Sequence, residues 1–195
     1  MTPKPMIHSV AVFCGARTGD NPAHAAAARA LGEGLAHAGI RLVYGGGRVG
    51  LMGVVADAAL AAGGQVLGVI PEFLRRWEVA HAGLTEMVVT STMHDRKHRM
   101  FEVADAFVTM PGGIGTMDET IEIISWRQLR LHDKPIILCD VEGSAAPLHA
   151  ALEASVTMGF AAPETRRLYE VIRGVPAVLE RLARLAPGQG SAERL

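Results

Sequence analysis

Short runs of apolar and β-branched residues alternate along the chain with longer stretches rich in alanine and leucine. Ser9-Val10-Ala11-Val12-Phe13-Cys14 is almost continuously apolar. That pattern marks a strand covered on both faces, as in the middle of a parallel sheet. Asn21-Pro22 then opens an alanine-rich helix that runs to His37. Asn at the cap and Pro at the first helical position suit a helix start, because neither wastes a backbone donor. Gly39 closes this helix. Further strands are expected over residues 40–44, 65–70, 86–90, 106–110 and 135–139. Further helices are expected over 51–62, 93–104, 116–131, 147–158 and 176–185. This alternation predicts an α/β protein: a single doubly wound, Rossmann-like parallel sheet with helices on both faces. No repeat or linker divides it, so residues 1–186 are expected to form one domain. The polar, glycine-containing residues 187–195 read as a flexible C-terminal tail.

Composition narrows the picture. The chain of 195 residues is 49% hydrophobic and 20% charged, which excludes disorder for its body. Lys+Arg 19 against Asp+Glu 20 leaves a net charge of −1. There is no global basic field to recruit nucleic acid or anionic lipid, and neither is expected as a partner. Two cysteines, Cys14 and Cys139, cannot build a disulfide framework and suit a reducing compartment. The apolar run at Val10 is too short for a signal-peptide core or a membrane span. A cytoplasmic domain is the expectation.

Ligands of doubly wound sheets bind beyond the carboxyl ends of the strands. Three glycine-rich turns fall there: Gly15-Ala16-Arg17-Thr18-Gly19, Gly45-Gly46-Gly47-Arg48-Val49-Gly50 and Pro111-Gly112-Gly113-Ile114-Gly115-Thr116. Glycine lets backbone N–H groups converge on one point and lets a phosphate approach closely. Tight strand–helix turns also need glycine, so one such loop decides little. Three on one edge favour an anionic ligand, a nucleotide above others. The second turn also matches Gly-x-Gly-x-x-Gly, with Glu72 where a dinucleotide site wants an acid. Pro71 intervenes, however, and the motif follows the second strand instead of the first.

Met93-His94-Asp95-Arg96-Lys97-His98-Arg99 concentrates basic side chains at a helix start. Charge runs are usually solvated faces, but here Met100, Phe101 and Val103 follow and must be buried. Arg96 offers a planar fork suited to phosphate or carboxylate, and Lys97 a mobile point charge. His94 and His98 have the spacing of helical metal ligands, yet their cationic neighbours argue against a metal. The third loop runs on into Met117, Asp118, Glu119 and Glu122. Thr116-x-x-Glu119 reads as a capping box, which by itself makes Glu119 a cap. A carboxylate beside a phosphate cradle nevertheless opposes ligand binding, so its placement points to a task in a reaction. Trp77 and Trp126 are expected to pack, with Trp77 beside Glu78 in a loop.

Pro111-Gly112-Gly113-x-Gly115-Thr116-x-x-Glu119, Met93-His94-x-Arg96-Lys97 and Tyr44-Gly45-Gly46-Gly47-x-x-Gly50-Leu51-Met52-Gly53 together resemble the LOG ("lonely guy") family. Its members are cytokinin riboside 5′-monophosphate phosphoribohydrolases, often mislabelled as lysine decarboxylases. The likeness runs from about Val10 to about Ile172, in the family's order and spacing. It implies hydrolysis of the N-glycosidic bond of an adenosine-type 5′-monophosphate, with no cofactor or metal, by a homodimer. By matching positions, Gly112, Gly113, Gly115 and Thr116, with Ile114, Met117 and Asp118 beside them, would hold the 5′-phosphate. Arg96 and Glu119 would be catalytic, Lys97 and Met93 would assist binding, and Glu78 would contact the nucleotide. Gly45, Gly46 and Gly47 are included among the binding residues. Two positions depart from the family: Ala16-Arg17 stand where many members have serines, and Asp95 stands where many have Glu.

A pyridoxal decarboxylase needs a Schiff-base lysine and a cofactor site. Only Lys4, Lys97 and Lys134 exist, and Lys97 sits in the cluster that a phosphate would occupy. A non-catalytic nucleotide carrier using the same cradle is the alternative, followed by a dinucleotide-dependent oxidoreductase built on residues 45–50. Weak sequence support for a dimer comes from Met100, Ile123, Ile124 and Trp126, apolar residues on more than one helix face.

Overall fold

Apolar strands stack side by side in the computed structural model, which describes residues 7–75 and 80–185. Seven strands form one parallel sheet: β1 (Ser9–Phe13), β2 (Arg41–Tyr44), β3 (Val66–Pro71), β4 (Glu86–Thr90), β5 (Ala106–Thr109), β6 (Ile136–Asp140) and β7 (Glu170–Arg173). Their spatial order is β4-β3-β2-β1-β5-β6-β7. The chain therefore winds outward in one direction from β1, then returns to lay β5 on the other side of β1. The sheet's switch point lies between β1 and β5. Every residue of β1 is buried, as its unbroken apolar run requires.

Helices α1 (Pro22–His37), α2 (Gly50–Ala61) and α6 (Val175–Arg184) cover one face. There Leu31, Leu35, Val55 and Val178 meet Val10, Val12, Leu42 and Val108. Helices α3 (Met93–Val103), α4 (Ile114–Gln128) and α5 (Ala146–Thr157) cover the other. There Met100, Phe101, Ile123 and Ile124 meet Ala11, Val43, Phe107 and Leu138. Adjacent β1 residues serve opposite faces, following the two-residue period of a strand. Asn21 Oδ1 accepts from the Ala23 N–H at 2.9 Å, so the expected cap of α1 forms. Thr92 caps α3 in the same way, accepting from the Asp95 N–H at 3.0 Å.

The structure differs from the sequence reading in three places. β7 was not anticipated: it is a four-residue edge strand with three exposed positions, too short and polar to read as apolar. α4 begins at Ile114, two residues earlier than expected, with Gly113 as its cap and no side-chain capping bond. The Thr116–Glu119 capping box therefore does not exist, because both residues already lie inside the helix. Met100, Ile123 and Ile124 are buried in the chain's own core, and Trp126 packs edge-on against Phe101 at 5.3 Å, so none of them argues for a dimer. Trp77, Glu78 and residues 187–195 lie outside the described residues. No helix among the described residues is long and apolar enough to cross a membrane.

Candidate active site

The crevice of a doubly wound sheet opens where neighbouring connections leave in opposite directions, beyond the strands' carboxyl ends. The turn after β1 and the turn after β5 meet there: the Gly15 N–H donates to Pro111 O at 3.0 Å. The α2 start joins them, its Leu51 N–H donating to Gly15 O at 2.9 Å. Between these turns lies a cavity of about 540 Å³, large enough for a small organic ligand. Met93, Arg96, Gly112, Gly113, Ile114, Gly115, Thr116, Asp118 and Glu119, all anticipated, line it. Ala16, Arg17, Thr18, His24, Leu51, Met52 and Ser144 line it too. His24 and Ser144 carried no sequence signal, since the first rides a helix and the second a loop after β6. Thr18 could have been found from its place in the first glycine turn.

The loop after β5 supplies donors. Backbone N–H groups in the first turn of α4 have no intrahelical acceptor, and the helix dipole adds positive potential there. A Cβ placed on Gly113 or Gly115 would meet no protein atom within 4 Å. Neither has a positive φ. The fold itself does not require glycine at these positions; the open approach to the backbone is what glycine preserves.

Residues 45–50 behave differently and do not line the cavity. A Cβ on Gly45 would lie 2.1 Å from Arg96 Nη2. Gly46 has φ +78° and is pressed against Ile70, while Gly47 bridges Ala80. These glycines pack the floor beneath the site. Glu72, the acid expected of a dinucleotide site, is exposed and held by Arg75 at 3.0 Å.

Arg96 is 5% exposed. Its Nε donates to Val69 O at 3.1 Å and its Nη2 to Gly45 O at 3.2 Å, so the ends of β3 and β2 fix the guanidinium plane. Its Nη1 stands 3.8 Å from Glu119 Oε1. Glu119, one turn into α4 and 9% exposed, presents a carboxylate to the cavity beside that cation. Lys97 points away to bridge Asp118 and Glu122, each at 3.1 Å. Burial alone would lower its pKa, but hydrogen bonds to the two carboxylates outweigh that and raise it above the ordinary lysine value. Met117 turns to a smaller apolar pocket lined by Leu138 and Leu148. Burial, reinforced by the charge of Glu119, pushes the Cys14 thiol well above its usual range, and burial pushes Cys139 up to about 12. Both thiols are therefore poor nucleophiles. Among the described residues no group of three or more His, Cys, Asp or Glu is placed to hold a metal ion.

An α/β protein with a doubly wound parallel sheet, an open glycine turn and a buried Arg–Glu pair at the switch point is the class that fold and site define. A family profile described as "Possible lysine decarboxylase" matches residues 52–182. A cytokinin riboside 5′-monophosphate phosphoribohydrolase of Rhodococcoides fascians is 44% identical over 177 residues, covering 90% of this chain and 89% of that protein. One from Arabidopsis thaliana is 38% identical over 184 residues, covering 94% of this chain and 86% of that protein. The chain belongs to this family, the LOG family that the sequence motifs resemble. The molybdenum cofactor carrier protein of Chlamydomonas reinhardtii shares the fold, with a TM-score of 0.66 at 20% identity over 92% of this chain and 96% of that one.

Proposed function

We propose that this protein hydrolyses the N-glycosidic bond of adenosine-type 5′-monophosphates, AMP or its N6-modified cytokinin forms, to free base and ribose 5-phosphate. One observation carries the reading: the open cradle at the start of α4 and the buried Arg96–Glu119 pair share one cavity. Glu119 lies five residues along α4 from Ile114, a rise of roughly 7.5 Å. A 5′-phosphate seated on the first-turn N–H groups would thus bring the sugar's anomeric carbon toward the carboxylate. The names of the relatives support the same chemistry.

Cleavage of a ribosyl–base bond develops positive charge on the sugar while the base departs and water loses a proton, by analogy with glycoside hydrolysis. Glu119 is suited to stabilise that cation and to accept the proton. A guanidinium is no general base, so Arg96 is assigned to orienting the nucleotide and holding the carboxylate in place. Among the described residues the lysines lend the decarboxylase description no support: Lys97 is bound between two acids, and Lys134 is buried away from the cavity.

The chain acts in this reading as a homodimer. Ile114 and Ile121 on α4 and Leu129 just past its end are exposed, apolar surface that a second copy would cover. Light scattering at micromolar concentration checks it, and a monomeric mass refutes it. The test of function is release of adenine from AMP compared with adenosine. AMP is expected to be turned over and adenosine hardly at all, because phosphate binding also aligns the sugar. Equal turnover of both would overturn the phosphate cradle. Tight AMP binding without adenine release would favour a carrier.

A further inference from the structure

Two buried, costly polar side chains lie at the amino-terminal edge of the sheet, at the end opposite the cavity, and take no part in the site. His132 and Lys134, on the segment between α4 and β6, are 6% and 5% exposed. His132 Nδ1 accepts the Lys134 backbone N–H at 3.1 Å, which leaves the ring proton on Nε2, and Nε2 donates to Ile123 O in α4 at 2.9 Å. Burial holds the ring neutral, its pKa pulled down to about 4. Lys134 Nζ donates to Phe101 O at 2.7 Å and sits 4.2 Å above the Phe101 ring. Phe101 lies in the last turn of α3, where carbonyls lack helical partners and a cation complements the dipole. A methionine would fill the Lys134 space without desolvating an ammonium, and such a swap is often neutral or favourable for stability. The lysine is therefore better explained by the carbonyl it holds than by packing.

The two carbonyls belong to the two helices of the reacting pair. Ile123 is one turn beyond Glu119 on α4, and Phe101 is five residues beyond Arg96 on α3. On the cavity side the same helices are joined by Lys97 to Asp118 and Glu122, partly exposed ion pairs that solvent weakens. Arg96 is pinned to the carbonyl ends of β2 and β3, and Glu119 is carried on α4.

We propose that His132 and Lys134 form a clamp that fixes the position of α4 against α3 and so sets the separation of Glu119 from Arg96. They are positioning residues, and their effect on turnover rests on the hydrolase reading above. A misplacement of about 1 Å at a reacting group can lower a rate about 100-fold, so small helix shifts suffice.

The test compares two substitutions of one ring. His132→Asn keeps an acceptor near Nδ1 but cannot reach Ile123. His132→Gln keeps a donor near the Nε2 position. In the full-length protein, with folded fraction checked by thermal melting, His132→Asn is expected to lower kcat on AMP by about 10-fold or more while KM moves less than about 3-fold. His132→Gln is expected to recover most of that loss. In a Glu119→Gln background, His132→Asn should cost little more, because its effect passes through the carboxylate. A crystal structure of His132→Asn should show the Arg96–Glu119 separation changed from 3.8 Å. Unchanged kcat, equal losses for Asn and Gln, or fully multiplicative losses in the double variant would each overturn the clamp. If His132→Asn fails to fold, Lys134→Met, which deletes the bond to Phe101, is judged by the same readouts. If the wild-type protein releases no adenine, the hydrolase reading fails separately. The crystallographic separation then decides the clamp alone, and an unchanged 3.8 Å overturns it.

Discussion

Residues 45–50 and residues 111–115 look alike in the sequence, each a glycine-rich turn following a parallel strand, yet they have opposite relations to the molecule. In the first, the protein itself occupies the space that a side chain would need. A Cβ on Gly50 would lie 2.3 Å from the Ala16 carbonyl carbon, and that residue has φ +60°. A Cβ on Gly53, just beyond, would lie 2.0 Å from Arg48 O. In the second, the space over Gly113 and Gly115 is open to the cavity. Packing demands glycine at Gly45 and Gly50 of the first loop and at Gly112 of the second, where a Cβ would lie 2.1 Å from Thr116 Oγ1, but not at Gly113 or Gly115. A glycine motif is thus informative only when one knows what stands over it.

The largest effect is expected where the open loop continues into its helix. Glu119→Gln preserves size and helix geometry while removing the charge, and kcat on AMP should fall about 100-fold or more with the fold intact. A folded variant with near-wild-type kcat would end this assignment and make Glu122 the next carboxylate to test.

The two loops themselves give the next contrast. Gly113→Ala should melt close to the wild-type temperature yet weaken inhibition by ribose 5-phosphate about 10-fold or more, since the methyl obstructs only the ligand. Gly45→Ala should lower stability by about 1–3 kcal/mol, because the methyl strikes the Arg96 guanidinium in a close-packed floor. Melting curves and inhibition constants on both variants check this. Similar melting losses for the two would abolish the distinction.

On the segment that leads into the amino end of β6, His132 makes a smaller and pH-dependent contribution. Its folded pKa, about 4, lies below the unfolded value of 6.5, so the unfolded chain binds the proton more tightly. Stability from this group is complete above pH 6.5 and falls as pH drops toward 4. The loss is up to about 3 kcal/mol. Denaturant unfolding of wild type and His132→Gln across this range should show a shallower pH dependence in the variant. Parallel curves would refute the neutral buried ring.

The smallest effect is expected far from both loops, at the amino ends of the strands. Arg41 at the start of β2 pairs with Glu86 at the start of β4, and both are partly exposed. Solvent screening limits such a pair to about 1 kcal/mol or less, so Glu86→Ala should leave kcat and KM unchanged. A change in activity would show that the amino edge of the sheet is coupled to the site.

Much of the fold was readable because burial leaves a periodic mark. β1 through β6 are apolar enough to stand out, and Asn21-Pro22 announces α1 through local hydrogen bonding alone. β7 left no such mark, because an edge strand needs only one partner and tolerates exposed charges at Glu170 and Arg173. The Thr116–Glu119 capping box misled because a local pattern competed with a tertiary one. The helix instead starts at Ile114 with Gly113 as its cap, and the Thr116 side chain occupies the space beside Gly112. The site divides in the same way. Arg96, Glu119 and the loop after β5, which line the cavity, were singled out from chemistry carried by contiguous residues and from the family resemblance. His24 and Ser144 were not, since they reach the cavity only when α1 and the loop after β6 arrive from distant parts of the chain.

By itself, the sequence determined the class of fold, the strands and helices that bury apolar faces, and which short segments carry charged groups and flexible backbone. These follow from interactions within a few residues, whose periodicity and turn chemistry the chain displays directly. Only the tertiary structure decided which glycine turn opens onto the cavity and which is packed against the protein itself. It alone turned Lys97 away to Asp118 and Glu122 and set Arg96 3.8 Å from Glu119. Those outcomes depend on what approaches from elsewhere in the chain: a glycine's empty space and a side chain's partner are properties of its neighbours in three dimensions.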